Sequence, residues 1–361
     1  MLNEVLKNKP GATGYKNNTT VVTWLSIGIA MLMIQILLGG ITRLTGSGLS
    51  ITEWKPLMGA VPPLNQQAWE QSFNRYRQIG QFKKINSQFT LAGYKSIFFW
   101  EWLHREWARL MGLVFGIPFI FFLFQKRIRR EMVKPLIILF LLGGLQAAIG
   151  WIMVQSGLND TDIAVSHIKL AVHFMCALFL LAYLVWLTLK LGIPARQLLY
   201  APKLRRLNII VLVLLFFQLT YGAFMAGTHA ALSAPTWPDI NGAYIPAGMA
   251  ANGNVFYNLY SNPITIQFIH RLLAYLIGLI TIFWFIKAGK MPTGSWLYKL
   301  RIVPLILVGL QITMGILALL NSMLKTAVYY SIIHQFVGML LLTSFIITLF
   351  MSNRLLKADY V

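Results

Sequence analysis

The sequence predicts an all-α integral membrane protein: eight transmembrane helices forming two tandem, parallel-oriented four-helix bundles, related by a pseudo-twofold axis along the membrane normal. Three observations lead there. Apolar residues make up 57 % of the chain and charged residues only 11 %, a balance that leaves little polar surface to face water. Eight windows reach the length of about 20 apolar residues that crosses a bilayer. The second half of the chain also echoes the first.

The windows run from Val21 to Ile41, Ile97 to Gln125, Pro135 to Val154, His167 to Lys190, Leu207 to Gly227, Thr265 to Lys287, Ile302 to Asn321 and Tyr329 to Ser352. They divide the chain into an N-terminal segment (1–20), a first bundle (21–190), a linker (191–206), a second bundle (207–352) and a tail (353–361). Within the first bundle the connection 42–96 is long, polar and aromatic. Structureless loops of that length are uncommon in compact domains, so amphipathic stretches such as Trp69 to Ile79 are expected to form short helices over the outer mouth.

The chain carries 31 Lys and Arg against 10 Asp and Glu, a net charge of +21. Lys126, Arg127, Arg129, Arg130 and Lys134 crowd one connection, Lys190, Arg196, Lys203, Arg205 and Arg206 the next such one, and Lys287, Lys290, Lys299 and Arg301 the third. Gln155 to Ser166 contains no Lys or Arg before the fourth window, and Ala230 to Ile264 contains none either. By the positive-inside rule both termini are cytoplasmic. The basicity therefore reports topology, and a nucleic-acid partner is excluded. The single cysteine, Cys176, allows neither an internal disulfide nor a thiolate metal cluster. The N-terminus lacks the apolar core of a signal peptide and the Arg-rich amphipathic character of a presequence, which points to a bacterial plasma membrane.

The repeat fixes the architecture. A shift of 183 residues aligns Gln35 with Gln218, Gly39 with Gly222, Ser50 with Ser233 and Trp54 with Trp237; a shift of 166 aligns His104, Arg105 and Gly112 with His270, Arg271 and Gly278. A shift of 165 aligns Gln146 and Gly150 with Gln311 and Gly315, and one of 161 aligns His173 with His334. A duplicated unit of four spans keeps its orientation in both copies, which places the relating axis along the membrane normal.

Each copy keeps one histidine on its second span and one on its fourth: His104 with His173, and His270 with His334. Each lies about 10 Å in from the outer end of its helix at 1.5 Å per residue. Two imidazoles on facing helices at one depth suit a bis-histidine haem. A single buried histidine can instead bridge helices by a hydrogen bond, and zinc would be left short of ligands. Arg105 and Arg271, next to the second-span histidines, could pair with haem propionates or extend to the interface. His167 and His229 have no counterpart and read as helix-end or loop residues. The copies differ in one ionisable position beside the histidines: Glu101 in EWLHR becomes Gln267 in QFIHR. A carboxylate exchanges protons and an amide does not, so the first pocket reads as reactive and the second as an electron-relay or structural site. The plainer alternative is a carboxylate that anchors Arg105.

The stretches GGITRLTGSGLSITEWKP, EWLHR, KLAVH, APTWPDING, QFIHR and IIHQFVG together resemble the haem A synthase family, from about Thr20 to Ser352. The resemblance implies oxidation of the C8 methyl of haem O to a formyl group by successive hydroxylations with water-derived oxygen, giving haem A for cytochrome oxidase. It implies haem O as the substrate, bound by His104 and His173, haem b as the cofactor on His270 and His334, and Glu101 as the catalytic carboxylate. Haem O synthase, cytochrome oxidase subunit I or assembly factors, membrane lipid and a second copy of the chain are the partners it suggests. Some family members carry a cysteine pair in an outer loop, and no such pair occurs here. Two other readings remain open on the residues alone: a dihaem b-type membrane electron-transfer cytochrome, which predicts equivalent pockets, and a transporter built on parallel repeats.

Overall fold

The computed structural model describes residues 19–53, 58–250 and 253–352; Trp54, Lys55 and Pro56 of the motif after the first span, and the terminal stretches 1–18 and 353–361, lie outside the described residues. The helices are α1 (Thr19–Leu44), α2 (Gln66–Tyr76), α3 (Gly80–Lys84), α4 (Leu91–Phe124), α5 (Arg130–Gln155), α6 (His167–Gly192), α7 (Pro202–Gly227), α8 (Val255–Ser261), α9 (Pro263–Ala288), α10 (Trp296–Leu300), α11 (Ile302–Leu320) and α12 (Ala327–Met351). Among the described residues no strand forms. Eight helices, counting α10 and α11 as one, are long and apolar enough to cross a membrane. The protein is a multi-pass, all-helical membrane protein.

Several helices start before their apolar windows because backbone hydrogen bonding and capping set the ends, and hydropathy does not. At α4 the start falls at Leu91, before the expected Ile97, where the Thr90 side chain accepts from the Gly93 N–H at 3.5 Å. α7 starts at Pro202, whose missing N–H makes no demand at the first helical position. At α9, Asn262 accepts from the N–H groups of Ile264 (2.9 Å) and Thr265 (3.3 Å). Pro118 lies inside a continuous α4.

The long outer connection folds down onto α4 through α2 and α3. Phe73, Tyr76, Ile79 and Leu49 bury against Tyr94, Ile97 and Phe98, with the Phe73 and Tyr94 rings stacked at 5.0 Å. Tyr94 donates to the Ser50 carbonyl at 3.1 Å and accepts from Ser72 at 2.6 Å. This tie fixes Ser50 and Ile51 alongside the first turns of α4, within reach of Glu101 and Arg105.

Three helix pairings recur in each set of four spans, while the packing of α9 on α11 in the second set has no equal between α4 and α5 in the first. In the first, α1 packs on α4, α5 on α6 and α1 on α6; in the second, α7 packs on α9, α11 on α12 and α7 on α12. The sets meet through α6 with α7, α6 with α12 and α1 with α12. Accordingly the buried cluster around Trp24, Leu25, Leu136 and Leu181 also takes in Met339 and Ile346 of α12, and a second cluster gathers Val211, Leu215, Trp284 and Phe345. Ile117, Phe121, Leu141, Phe179 and Leu279 face outward, as expected where the surrounding solvent is lipid.

The α1–α12 seam depends on Gly40. A Cβ there would run into the Gln335 side chain, which is itself held by Nε2 donating to the Ile36 carbonyl at 2.9 Å. Small residues permit close approach of membrane helices. Gly40→Ala is therefore expected to destabilise the protein by about 1–3 kcal/mol, the usual range for overpacking. Thermal unfolding in detergent checks this, with Gly143→Ala as the control, since a Cβ at Gly143 meets nothing within 4 Å.

Candidate functional site

The four repeat histidines sit on the inner faces of consecutive helix pairs. His270 of α9 and His334 of α12 face one another with ring centroids 6.3 Å apart and planes at 70°. A single metal ion bonded at about 2 Å to one nitrogen of each ring fits that separation. His104 of α4 and His173 of α6 are the matching pair and lie within electrostatic reach of each other. Among the described residues no group of three or more His, Cys, Asp or Glu converges. Two imidazoles per site suit an ion whose remaining ligands belong to a macrocycle.

Every one of these imidazoles is met by a glutamine from the preceding long helix. The Gln35 amide lies 3.5 Å from His104 Nε2 and the Gln218 amide 3.4 Å from His270 Nε2. Gln146 lies 3.2 Å from His173 Nδ1 and also donates to the His173 carbonyl at 2.8 Å. Gln311 lies 3.3 Å from His334 Nε2, and its carbonyl accepts from His334 Nδ1 at 2.9 Å. One turn after each glutamine comes a glycine, at Gly39, Gly150, Gly222 and Gly315. A Cβ on these would stand 3.1, 2.7, 3.4 and 2.8 Å from the Cε1 of the respective ring.

The Glu101/Gln267 difference is embedded in matching surroundings. Glu101 is 3 % exposed and Gln267 1 %. Glu101 Oε1 pairs with Arg105 Nη2 at 2.6 Å, while Oε2 accepts from Ser50 Oγ at 2.7 Å and from the Ile51 N–H at 2.9 Å. Gln267 Oε1 accepts from Arg271 Nη2 at 3.1 Å, and its Nε2 donates to the carbonyls of Ala230 (3.4 Å) and Ala234 (3.0 Å). Ala234 is the repeat counterpart of Ile51. The outer loop thus turns an N–H toward the carboxylate in one copy and a C=O toward the amide in the other, so each side chain meets the complementary group. The anchoring contact to Arg105 that the sequence allowed for Glu101 is present.

The two arginines hold loop backbone. Arg105 donates to the carbonyls of Ile51 (3.2 Å) and Glu53 (3.3 Å); Arg271 donates to those of Thr236 (2.7 Å), Asp239 (2.7 Å) and Pro238 (3.4 Å). Glu53 and Thr236 are again repeat counterparts. These donors staple the loop after the first span of each copy to its second span, an occupation that neither expectation for them, propionate pairing or interface extension, had named.

The unmatched histidines lie between the two halves at the same end of the molecule. His167 opens α6 and lies beside Tyr260, ring centroids 6.4 Å apart, and Ser261. His229 stands in the left-handed region at φ 52°. Arg43 at the end of α1 donates to the α7 carbonyls of Ala226 (2.8 Å) and Gly227 (3.2 Å) and to His229 Nε2 (2.9 Å). Burial first, and the Arg43 charge second, hold the His229 imidazole below the ordinary histidine range, so it accepts that bond in its neutral form. A cation at a helix C-terminus is favourable in its own right.

The sites differ in closure. Gly278 of α9 is buried with Ile312 Cδ1 of α11 3.4 Å from where its Cβ would stand. Its counterpart Gly112 on α4 is exposed and meets nothing within 4 Å. The residue of α5 equivalent to Ile312 is Ala147, also exposed. Further in, Phe119 and Phe140 close the α4–α5 gap with centroids 5.2 Å apart.

Comparison with known proteins agrees with this picture. Residues 22–346 match the family model described as cytochrome oxidase assembly protein. A protein of Parvibaculum lavamentivorans named Heme A synthase is 42 % identical over 286 residues, covering 78 % of this chain and 82 % of its own length. Proteins of the same name from Granulibacter bethesdensis and Flavobacterium psychrophilum are 40 % and 36 % identical, covering 92 % of this chain and 87 % and 98 % of their own lengths.

Proposed function

The chain belongs to the cytochrome oxidase assembly family, and from that premise we propose that it works as a haem A synthase, an enzyme of haem biosynthesis that oxidises the C8 methyl of haem O to a formyl group with oxygen taken from water. The observation that carries the reading is the exchange of Glu101 for Gln267 within matching hydrogen-bonding surroundings. A dihaem electron-transfer cytochrome would need no such division.

In this reading His104 and His173 bind the substrate haem, and His270 and His334 hold haem b. The donor set fits the cofactor: two facing rings at 6.3 Å, and a His270 Nδ1 buried without a hydrogen-bond partner. Haem b supplies a one-electron redox centre when bound. Glu101 is the group that takes protons as the methyl carbon is oxidised, or that holds the attacking water. Its ion pair with Arg105 and the Ser50 and Ile51 donors fix its position, and a fixed group pays no reorganisation on reaction.

The difference in closure supports the same assignment. A resident cofactor suits a site sealed by Ile312, and a lipophilic substrate suits one open to the bilayer beside Gly112 and Ala147. Ala147→Ile is expected to raise KM for haem O about tenfold while bound haem b stays constant, as read by turnover and haem content.

The recurring helix pairings support the division into bundles at 21–190 and 207–352 about an axis along the membrane normal. The loop charges support cytoplasmic termini and haem sites toward the outer side.

The test is the haem content of membranes from an oxidase-assembly-deficient host supplied with haem O. Haem A should appear with the wild type. Two bound b haems with no haem A would favour the electron-transfer cytochrome instead.

A further inference from the structure

The pattern Gln-x-x-x-Gly occurs on α1 (Gln35, Gly39), α5 (Gln146, Gly150), α7 (Gln218, Gly222) and α11 (Gln311, Gly315), and the next long helix carries a histidine each time. Residues at i and i+4 share one helix face. Each pair therefore forms a cradle: the glycine lets the ring approach the helix backbone, and the glutamine amide reaches a ring nitrogen. The duplication of four spans contains a finer repeat, a helical hairpin that supplies one imidazole together with its own support.

We propose that Gln35, Gln146, Gln218 and Gln311 are positioning residues that fix the ring orientation of the four histidines, and that Gln35 and Gln218 accept the N–H of the ring nitrogen that does not bind iron. The inference rests on the assignment of these histidines to haem. A neutral imidazole that gives one nitrogen to a metal carries its proton on the other, and that N–H needs an acceptor. In all four cradles the glutamine Oε1 is buried without a partner, and His104 Nδ1 and His270 Nδ1 are likewise unpartnered. Turning an amide about its last bond exchanges Oε1 with Nε2. At Gln35 and Gln218 this puts an acceptor 3.5 and 3.4 Å from Nε2 of His104 and His270; Gln146 keeps its orientation through the bond to the His173 carbonyl, and the His334 Nδ1 proton has the Gln311 backbone carbonyl as its acceptor. Gln311 has a further support, since Gly338 leaves room for its amide, 3.1 Å from where a Cβ would stand. The recurrence of one orphaned oxygen at four equivalent places sets this arrangement apart from packing that merely tolerates a glutamine.

The experiment uses the full-length chain purified in detergent with its haem. Gln218→Leu and Gln311→Leu are expected to weaken haem b retention about 10–100-fold, the usual effect of removing a partner behind a metal ligand, and to shift its midpoint potential and low-spin spectrum. Gln218→Asn keeps the amide but shortens its reach, so it should behave like the leucine variant even if that variant folds poorly. Gln218→Glu keeps an acceptor oxygen and should restore retention. Gln335→Leu is the matched control: it neighbours His334 but bonds the Ile36 carbonyl, and should leave spectrum and potential alone. In the first copy, Gln35→Leu and Gln146→Leu should raise KM for haem O without altering bound haem b. Leucine variants with wild-type retention, potential and spectrum overturn the inference while the haem assignment stands. A wild type that binds no haem overturns both.

Discussion

Replacing either His270 or His334 by alanine is expected to empty the C-terminal pocket, dropping haem b per purified chain by more than the 10–100-fold that loss of a supporting partner causes. The two rings stand 6.3 Å apart on α9 and α12, so both would be needed to hold the haem, and an alanine at either position removes one of the two imidazoles. Both rings are half-buried and outside the large apolar side chains that fill the core, and detergent-purified yield checks that the variants fold and insert. His104→Ala and His173→Ala serve as the counterparts. They should keep haem b and its spectrum while losing haem A formation, as the proposed assignment of their pocket to the substrate requires. Haem extraction and visible spectra distinguish the outcomes. Loss of haem b from His104→Ala with retention in His270→Ala would reverse the assignment of the halves.

Glu101→Gln is expected to lower haem A formation about 10²–10⁴-fold, the range for losing a positioned acid or base, with bound haem b unchanged. The protein supplies its own structural precedent for this variant. At the equivalent place Gln267 accepts from Arg271 at 3.1 Å and is as buried as the glutamate, so an amide can hold Arg105 in the same way. The cost falls on the Ile51 N–H, which at 2.9 Å faces Glu101 Oε2 and in the variant meets an NH₂ or competes with Arg105 for the one amide oxygen. That loss is of the order of 1–3 kcal/mol. Glu101→Ala is a different experiment, since removing one partner of a buried ion pair costs about 3–5 kcal/mol and frees the outer loop. Accumulation of haem O or a hydroxylated intermediate by a stable Glu101→Gln protein supports the proton-handling role. Undiminished haem A in that variant would reduce Glu101 to an anchor for Arg105.

The reading of Glu101 shows how far one dimension reaches. The contrast EWLHR/QFIHR stands in the sequence, but nothing in it indicates that the loop presents an N–H to one side chain and a C=O to the other. Arg105 and Arg271 were visible as neighbours of the histidines, and their attachment to loop carbonyls depends on the path of backbone 32 to 54 residues away. The glutamines were visible too, as aligned positions of the repeat. Their partners were not, because a helix face is known from spacing while the helix it faces is not.

What the sequence determined by itself was the class of the protein, its eight spans, the duplication and the four histidines. These follow from local hydropathy and from self-similarity, which need no knowledge of how helices meet. The tertiary structure alone decided which imidazole each glutamine supports, where the arginines and Glu101 bond, and that Ile312 closes the second site while Ala147 leaves the first open. Each of those depends on groups distant in sequence being brought within a few ångströms, and in a membrane that is set by the fit of small and large side chains between helices rather than by the apolar character common to all of them.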